Sequence, residues 1–410
     1  MKNSYWRNVA SVLTGSALAQ LIPVLGSLIL ARQYAPTEFG IFSVWLGAVS
    51  LLSVVLTGRF ETALAIESDG EPRRLAVIST LLTVLITACL SSAVLVVIIA
   101  VEAEWLTRTT PILMWAAVPT ALLIAVAQTW QSWAAAEGNY RELTGMRIAQ
   151  AATVTLIQIV AGVIFATASA LAIAYLVGVL TGLAVSVRLM PLGPLPKERL
   201  AASIRRFWYR QRRFPMLSLP ADAINTAAGQ LPILIVAMRF GVESAGLLAM
   251  ALQILGAPIG LLGKAVLDVF KRHASTSFRE RGECRVDYVR TFKVLMFGSI
   301  AFCAVMAVSS EALFALAFGE TWRGAGTIAV WLLPLFALRF VASPLSYMVY
   351  IAGKQHWDLV WQITLLATTI ASLGIPVRQD LALQAYSAGY SILYVIYLVM
   401  SYRFSLGKTS

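Results

Sequence analysis

The sequence predicts an all-α polytopic membrane protein, with about twelve transmembrane helices in two parallel six-helix repeats around a central cavity. Three observations carry this. The chain is 59% hydrophobic and only 13% charged, about half the charge of a soluble domain, and its mean hydropathy is +0.78. Its apolar residues gather in runs of about 20, the length that crosses a bilayer, whereas a membrane β-barrel would show short alternating segments. Finally, a pattern in the first half recurs 206 positions later, as Ala31-Arg32-Gln33-Tyr34-Ala35-Pro36-Thr37-Glu38-Phe39-Gly40 and Ala237-Met238-Arg239-Phe240-Gly241-Val242-Glu243-Ser244-Ala245-Gly246.

The predicted spans are about residues 9–31, 41–66, 75–101, 111–136, 148–167, 170–187, 215–238, 245–270, 291–317, 327–351, 357–376 and 382–402. The first is too long for a signal-peptide core and reads as a span that stays in the protein. Six spans per half is an even number, so both halves point the same way. The division that follows is residues 1–190 as an N-terminal lobe, 191–214 as a basic cytoplasmic linker and 215–410 as a C-terminal lobe. Orientation follows from Lys and Arg. With both termini cytoplasmic, 24 of the 32 lie in inner loops and termini. Five (Arg32, Arg108, Arg239, Arg323, Arg378) lie outside and three (Arg59, Lys264, Arg339) within spans. Positive charge gathers on the cytoplasmic side of membrane proteins, so the net charge of +12 calls for no nucleic-acid partner.

The linker opens with Pro191-Leu192-Gly193-Pro194-Leu195-Pro196. Beyond it Leu200, Ile204, Phe207 and Trp208 share one helical face among many cations, the pattern of an amphipathic helix on a membrane surface. Cys89, Cys284 and Cys303 have no metal or redox spacing, and His273 and His356 are isolated, so no cofactor or metal is expected.

The candidate functional residues are polar groups inside spans, where charge is expensive. Arg59 and Glu61 stand in an apolar run, with Arg59 roughly 27 Å along the helix from Ile41 and so near its inner end. Two residues apart on a continuous helix, they would point about 200° away from each other and need partners elsewhere. Shifted by the repeat, Gly58-Arg59 falls on Lys264-Ala265. Lys264 and Asp268 are one turn apart and could pair. Arg339 lies near the middle of its span without an acidic residue in that helix, and Asp222 or Glu61 could meet it. Gln20 with Pro23, and Asn225 and Gln230 with Pro232, interrupt equivalent spans. Gln128, Gln131, Gln150 and Gln158 could line the cavity or bond helix to helix.

The segment from Ala31 to Phe42, followed by Gly58-Arg59-Phe60-Glu61, resembles the start of Wzx-type O-antigen and polysaccharide flippases. These belong to the multidrug/oligosaccharidyl-lipid/polysaccharide exporter superfamily. The resemblance implies a bacterial inner-membrane transporter that flips a polyprenyl-diphosphate-linked oligosaccharide from the cytoplasmic to the outer leaflet. Polymerase and chain-length proteins are the implied partners, with membrane lipids around it. Arg59 and Glu61 match the family's Arg-aromatic-Glu pattern. Cations such as Arg59, Lys264 and Arg339 suit a diphosphate. Gln20, Asn225 and Gln128, with aromatic faces such as Trp45 or Trp130, suit sugars. Glu61, Asp268 and Asp222 are candidates for coupling to H+ or Na+. A multidrug exporter of the same superfamily would want an acidic cavity. A polymerase or ligase would want acid–base groups in a large outer loop, and the largest here, Glu311 to Gly326, carries only Glu311, Glu320 and Arg323.

Overall fold

The computed structural model describes residues 2–101, 111–193, 200–352 and 354–407. The side chains of residues 2–16, 100, 101, 264, 265, 268, 272, 355, 356, 358 and 359 fall outside that description. The described chain is helical throughout, and its contacts divide it into two compact units, Met1–Gln230 and Leu231–Ser410. Ten helices are long and apolar enough to cross a membrane. Two shorter apolar helices, Ala17–Gln33 and Val360–Gly374, fall where the first and eleventh spans are expected. The protein is therefore a multi-pass membrane protein.

In the first unit, α1 (Lys2–Gln33) packs on α6 (Tyr140–Ile164), and α2 (Pro36–Thr57) on α5 (Pro111–Ala136). The helix α4 (Glu71–Val101) and α7 (Ala168–Leu189) both lean on α5. The tightest seam joins α6 and α7. Gly178 and Gly182 stand one turn apart on α7, and a Cβ on either would lie 2.4 Å from Val154 Cα or 2.7 Å from Gln150 Cα. Small residues at this spacing let two backbones approach in a membrane, where packing replaces the hydrophobic drive. Thr153 adds a hydroxyl hydrogen bond to the Gly178 carbonyl at 2.8 Å.

The second unit repeats the scheme. There α10 (Val242–Arg281) and α11 (Arg285–Phe318) lean on α12 (Arg323–Leu345), which the short α13 (Met348–Ile351) follows, and α15 (Gln379–Ser405) leans on α12 as well. The pair α14 (Gln355–Gly374) and α15 matches α6 and α7. Pro36 and Val242 open α2 and α10, positions separated by the 206 of the sequence repeat.

The repeated segment has the same structural task in both units. In the first, Glu38 accepts the backbone N–H of Ala168 at 2.5 Å and so caps α7, where a carboxylate favours the positive helix end. Tyr34, fully buried, donates to the Gln158 carbonyl at 3.2 Å. In the second, Arg239 donates to the carbonyls of Leu373 and Pro376 at 2.7 and 2.9 Å. Ser244 bonds Gln379 at 2.9 Å. Each turn between the first two spans of a repeat thus staples the connection between its last two.

The repeat fails in two places. The helix α9 (Leu219–Phe240) is preceded by a π turn, Phe214–Ser218, and buries only Pro232 and Val236. Residues 219–230 belong to the first unit. At the inner end, α2 stops at Thr57 while α10 runs unbroken past Lys264 to Arg281. At the offset of 206 Lys264 falls on Gly58, one position from Arg59, and the likeness of the two cations does not extend to backbone shape, because α10 has nothing like the Gly58 break.

The linker helix α8 (Leu200–Arg210) forms as its periodicity predicts, but it lies on protein. Ile204 and Phe207 are buried, and Phe207 packs on Phe60 with ring centroids 5.5 Å apart. Trp208 donates its indole N–H to Thr83 Oγ1 at 3.0 Å. An apolar stripe one helix wide fits a protein groove as well as a bilayer surface, so periodicity alone did not separate the two.

Candidate binding site: the Gly58-Arg59 break

The apolar run expected as one span from 41 to 66 is broken by two consecutive left-handed residues. Gly58 has φ 57° and ψ 15° and ends α2; Arg59 has φ 60° and ψ 16° and opens the short helix α3 (Phe60–Ala63). Among the described residues Arg59 is the one non-glycine residue with positive φ. That conformation costs about 1–2 kcal/mol for an L side chain, and strain of this kind collects at functional sites. Hydroxyls hold it in place. The Arg59 N–H donates to Thr57 Oγ1 at 3.2 Å, and Thr62 Oγ1 donates to the Arg59 carbonyl at 2.6 Å.

The break reverses the expected geometry of the charged pair. On a continuous helix Arg59 and Glu61 would diverge; here Arg59 Nη1 donates to Glu61 Oε1 at 2.9 Å. Asp222, expected as a partner for Arg339, instead brings Oδ2 to 2.7 Å from Arg59 Nε. That contact is ionic, since the N–H is not aimed for a hydrogen bond. Helix polarity supports both placements. Arg59 follows the Gly58 cap at the negative end of α2, and Asp222 lies in the first turn of α9, at its positive end.

The three residues form a graded cluster with a formal charge of −1. Glu61 is 4% exposed, Arg59 24% and Asp222 37%. The inner carboxylate is fixed while the outer one is open to exchange. Glu61 Oε2 is buried without a hydrogen-bond partner among the described residues. Arg59 Nη2 likewise makes no protein hydrogen bond there, and its two N–H groups are available to an anion.

A second polar layer lies below this cluster. Arg73, 5% exposed, donates to the Leu64 and Glu67 carbonyls at 3.0 and 2.8 Å, and meets Asp69 at 2.6 Å and Glu137 at 3.2 Å. Glu67 accepts from Gln211 at 2.6 Å and pairs with Arg210. The loop after α3 is thereby tied to the linker. None of this was visible in the sequence, where these charges sit in a short inner loop; the one available signal is the concentration of both signs between Glu67 and Arg74.

In the second unit Arg339 is exposed on α12, with its guanidinium carbon 5.8 Å from the Phe336 ring centre. No carboxylate of that unit pairs with it among the described residues. Tyr386 and Tyr394 lie within its electrostatic reach. They belong to an aromatic row: Tyr386 and Tyr390 have centroids 4.6 Å apart, and Trp361 lies 5.4 Å from Tyr394 and 4.6 Å from Tyr397. The spacing of tyrosines at 386, 390 and 394, one turn apart, is the signal that could have found this row.

The remaining candidates separate. Gln20, Asn225 and Gln128 are exposed or half-buried and take no side-chain hydrogen bond among the described residues. Gln131 and Gln150 bond each other at 2.8 Å, and Gln158 is buried and reaches the Leu171 carbonyl at 3.4 Å; these are interhelical packing groups. Trp45 and Trp130 are buried and spend their indole N–H groups on the carbonyls of Leu113 and Met190, at 2.7 and 3.0 Å, so neither presents a face to a sugar. The side chains of Lys264 and Asp268 lie outside the described residues.

Solved structures share this fold of bundled, membrane-length apolar helices. A multidrug resistance MATE family transporter of the MOP superfamily is 13% identical, covers 94% of each chain and superposes with a TM-score of 0.65. The lipid II flippase MurJ is 12% identical over 97% of this chain and 87% of its own, with a TM-score of 0.68. A MOP superfamily transporter from Pyrococcus furiosus is 11% identical over 98% and 96%, with a TM-score of 0.52. No curated protein matches the chain. Residues 29–326 match the model of a polysaccharide biosynthesis protein family, and the chain belongs to that family.

Proposed function

We propose that the chain is a flippase carrying a polyprenyl-diphosphate-linked oligosaccharide from the cytoplasmic to the outer leaflet by alternating access, for O-antigen or related lipopolysaccharide assembly. The observation that carries this reading is Arg339. It lies 16 residues, about 24 Å, along α12. No carboxylate of its own unit neutralises it among the described residues. A cation at that depth is costly unless it serves an anion that passes. Multidrug export of cations would favour the opposite sign, and the family match supports a polysaccharide precursor.

Arg59 is the inner-leaflet counterpart. A diphosphate oxygen can take the free Nη2 edge and displace the more exposed Asp222, because guanidinium–phosphate pairing is bidentate and strong. Glu61, buried and with one oxygen unpartnered, is the coupling carboxylate for H+ or Na+, and Asp222, once released, shares that role. Gln20, Asn225 and Gln128 offer hydrogen bonds to sugars. Lys264, which falls beside Arg59 in the repeat, and Asp268, one turn from it, are assigned to the same pathway as charges within a span. Both termini are cytoplasmic and the membrane is the bacterial inner membrane; polymerase and chain-length proteins act on the delivered product.

The test is made in cells without the chain. A flippase defect traps complete but unpolymerised precursor on the inner leaflet, with surface polymer lost. Precursor that reaches the outer leaflet and stays unpolymerised would assign the chain to an enzymatic step instead.

A further inference from the structure

A separate pocket opens in the first unit at the start of the span Phe214–Phe240, the end that the Lys and Arg bias of the sequence assigns to the cytoplasmic side. It holds about 670 Å³ between Ile66, Tyr209, Arg210, Arg212, Arg213 and Leu217. One wall is cationic. Arg210, Arg212 and Arg213 line it. Among the described residues only Arg210 has a carboxylate partner, Glu67. Arg212 is held over the Tyr209 ring at 4.6 Å. The other wall is apolar and open: Ile66 is 66% exposed and Leu217 69%, with Met216 beside it.

The geometry points to this pocket as a binding site for the headgroup of an anionic phospholipid of the inner leaflet. Unpaired guanidiniums this close repel each other, and a phosphate relieves the repulsion while taking bidentate hydrogen bonds. Exposed apolar surface continues from Leu217 to Ile224, seven residues on and on the same helix face, where an acyl chain would lie. A free phosphate would use the first wall and leave the second bare. The site is distinct from Arg59 and Arg339, and it stands whether or not the transport reading does.

Native mass spectrometry of the purified full chain tests it, with phosphatidylglycerol and phosphatidylcholine offered in equal amounts. The wild type is expected to retain one phosphatidylglycerol in preference. The double variant Arg212→Gln with Arg213→Gln should bind it about 30-fold more weakly, since each cation near an anionic lipid surface contributes about a fivefold factor. Removing the same charge elsewhere on the inner side, with Arg279→Gln and Arg281→Gln, should change nothing. An equal loss in that control would reduce the effect to overall charge. Displacement of the lipid by millimolar glycerol phosphate or inorganic phosphate would make the ligand a free anion. Either result, or no retained phosphatidylglycerol, overturns the proposal.

Discussion

Replacing Arg59 with alanine separates the structural role of the Gly58-Arg59 break from its role toward a ligand. The variant removes the hydrogen-bonded partner of Glu61 at 2.9 Å and leaves that carboxylate buried at 4% exposure. An unpaired buried charge costs about 3–5 kcal/mol. Arg59 itself is 24% exposed, so water softens the pair and the lower end, about 3 kcal/mol, applies. Alanine keeps the left-handed strain, so nothing is recovered from the backbone. For a unit of this size about 3 kcal/mol lowers the melting temperature by about 6–12 °C. The assay is thermal unfolding of the detergent-purified protein, read alongside the double variant Arg59→Ala with Glu61→Gln. Neutralising Glu61 removes the buried charge, so the double variant should regain at least half of the loss. Asp222→Asn alone should cost no more than about 1 kcal/mol, because Asp222 is 37% exposed. A double variant that melts as low as Arg59→Ala would refute the argument that a stranded Glu61 charge is the cause.

Three further outcomes follow from the packing. Glu38→Ala removes the cap on α7 and should cost about 1–2 kcal/mol, a fall of about 2–8 °C in melting temperature by the same assay. Gly178→Val places a side chain 2.4 Å from the Val154 backbone, where neither helix can yield; the variant should fail to accumulate as folded, monodisperse protein on size exclusion. Cys284 is buried and burial, with Asp287 adding to it, pushes its thiol up to about 12. At pH 8 in the native state it should resist a polar maleimide, and label only on unfolding, as read by peptide mass spectrometry.

Hydropathy made the helices legible because each span must bury its own backbone bonds, and that demand writes long apolar runs. The 206-residue repeat was legible too, and its turns carry it: Pro36 and Val242 open matching helices. What the sequence hid was local backbone shape. Gly58 inside an apolar run reads as a tolerated glycine, yet with Arg59 it forms the break that turns Arg59 toward Glu61. The partner of Arg59 on α9 was hidden for another reason. Asp222 is 163 positions away, and an ion pair between helices leaves no periodic trace. The linker stripe shows the same limit, since Ile204 and Phe207 would look identical against lipid or against Phe60. Arg339 was legible as costly, while its aromatic surroundings depend on the packing of α12 with α15.

The central claim is that the chain flips an anionic lipid-linked oligosaccharide with Arg339 on its path. It is tested most directly in proteoliposomes holding the purified chain and a fluorescent polyprenyl-diphosphate oligosaccharide, with outer-leaflet arrival read by a membrane-impermeant quencher. The account predicts transport by the wild type, loss of at least tenfold in rate with Arg339→Gln at unchanged melting temperature, and partial recovery with Arg339→Lys. Transport by Arg339→Gln at the wild-type rate, or none by a well-folded wild type under either a proton or a sodium gradient, would contradict it.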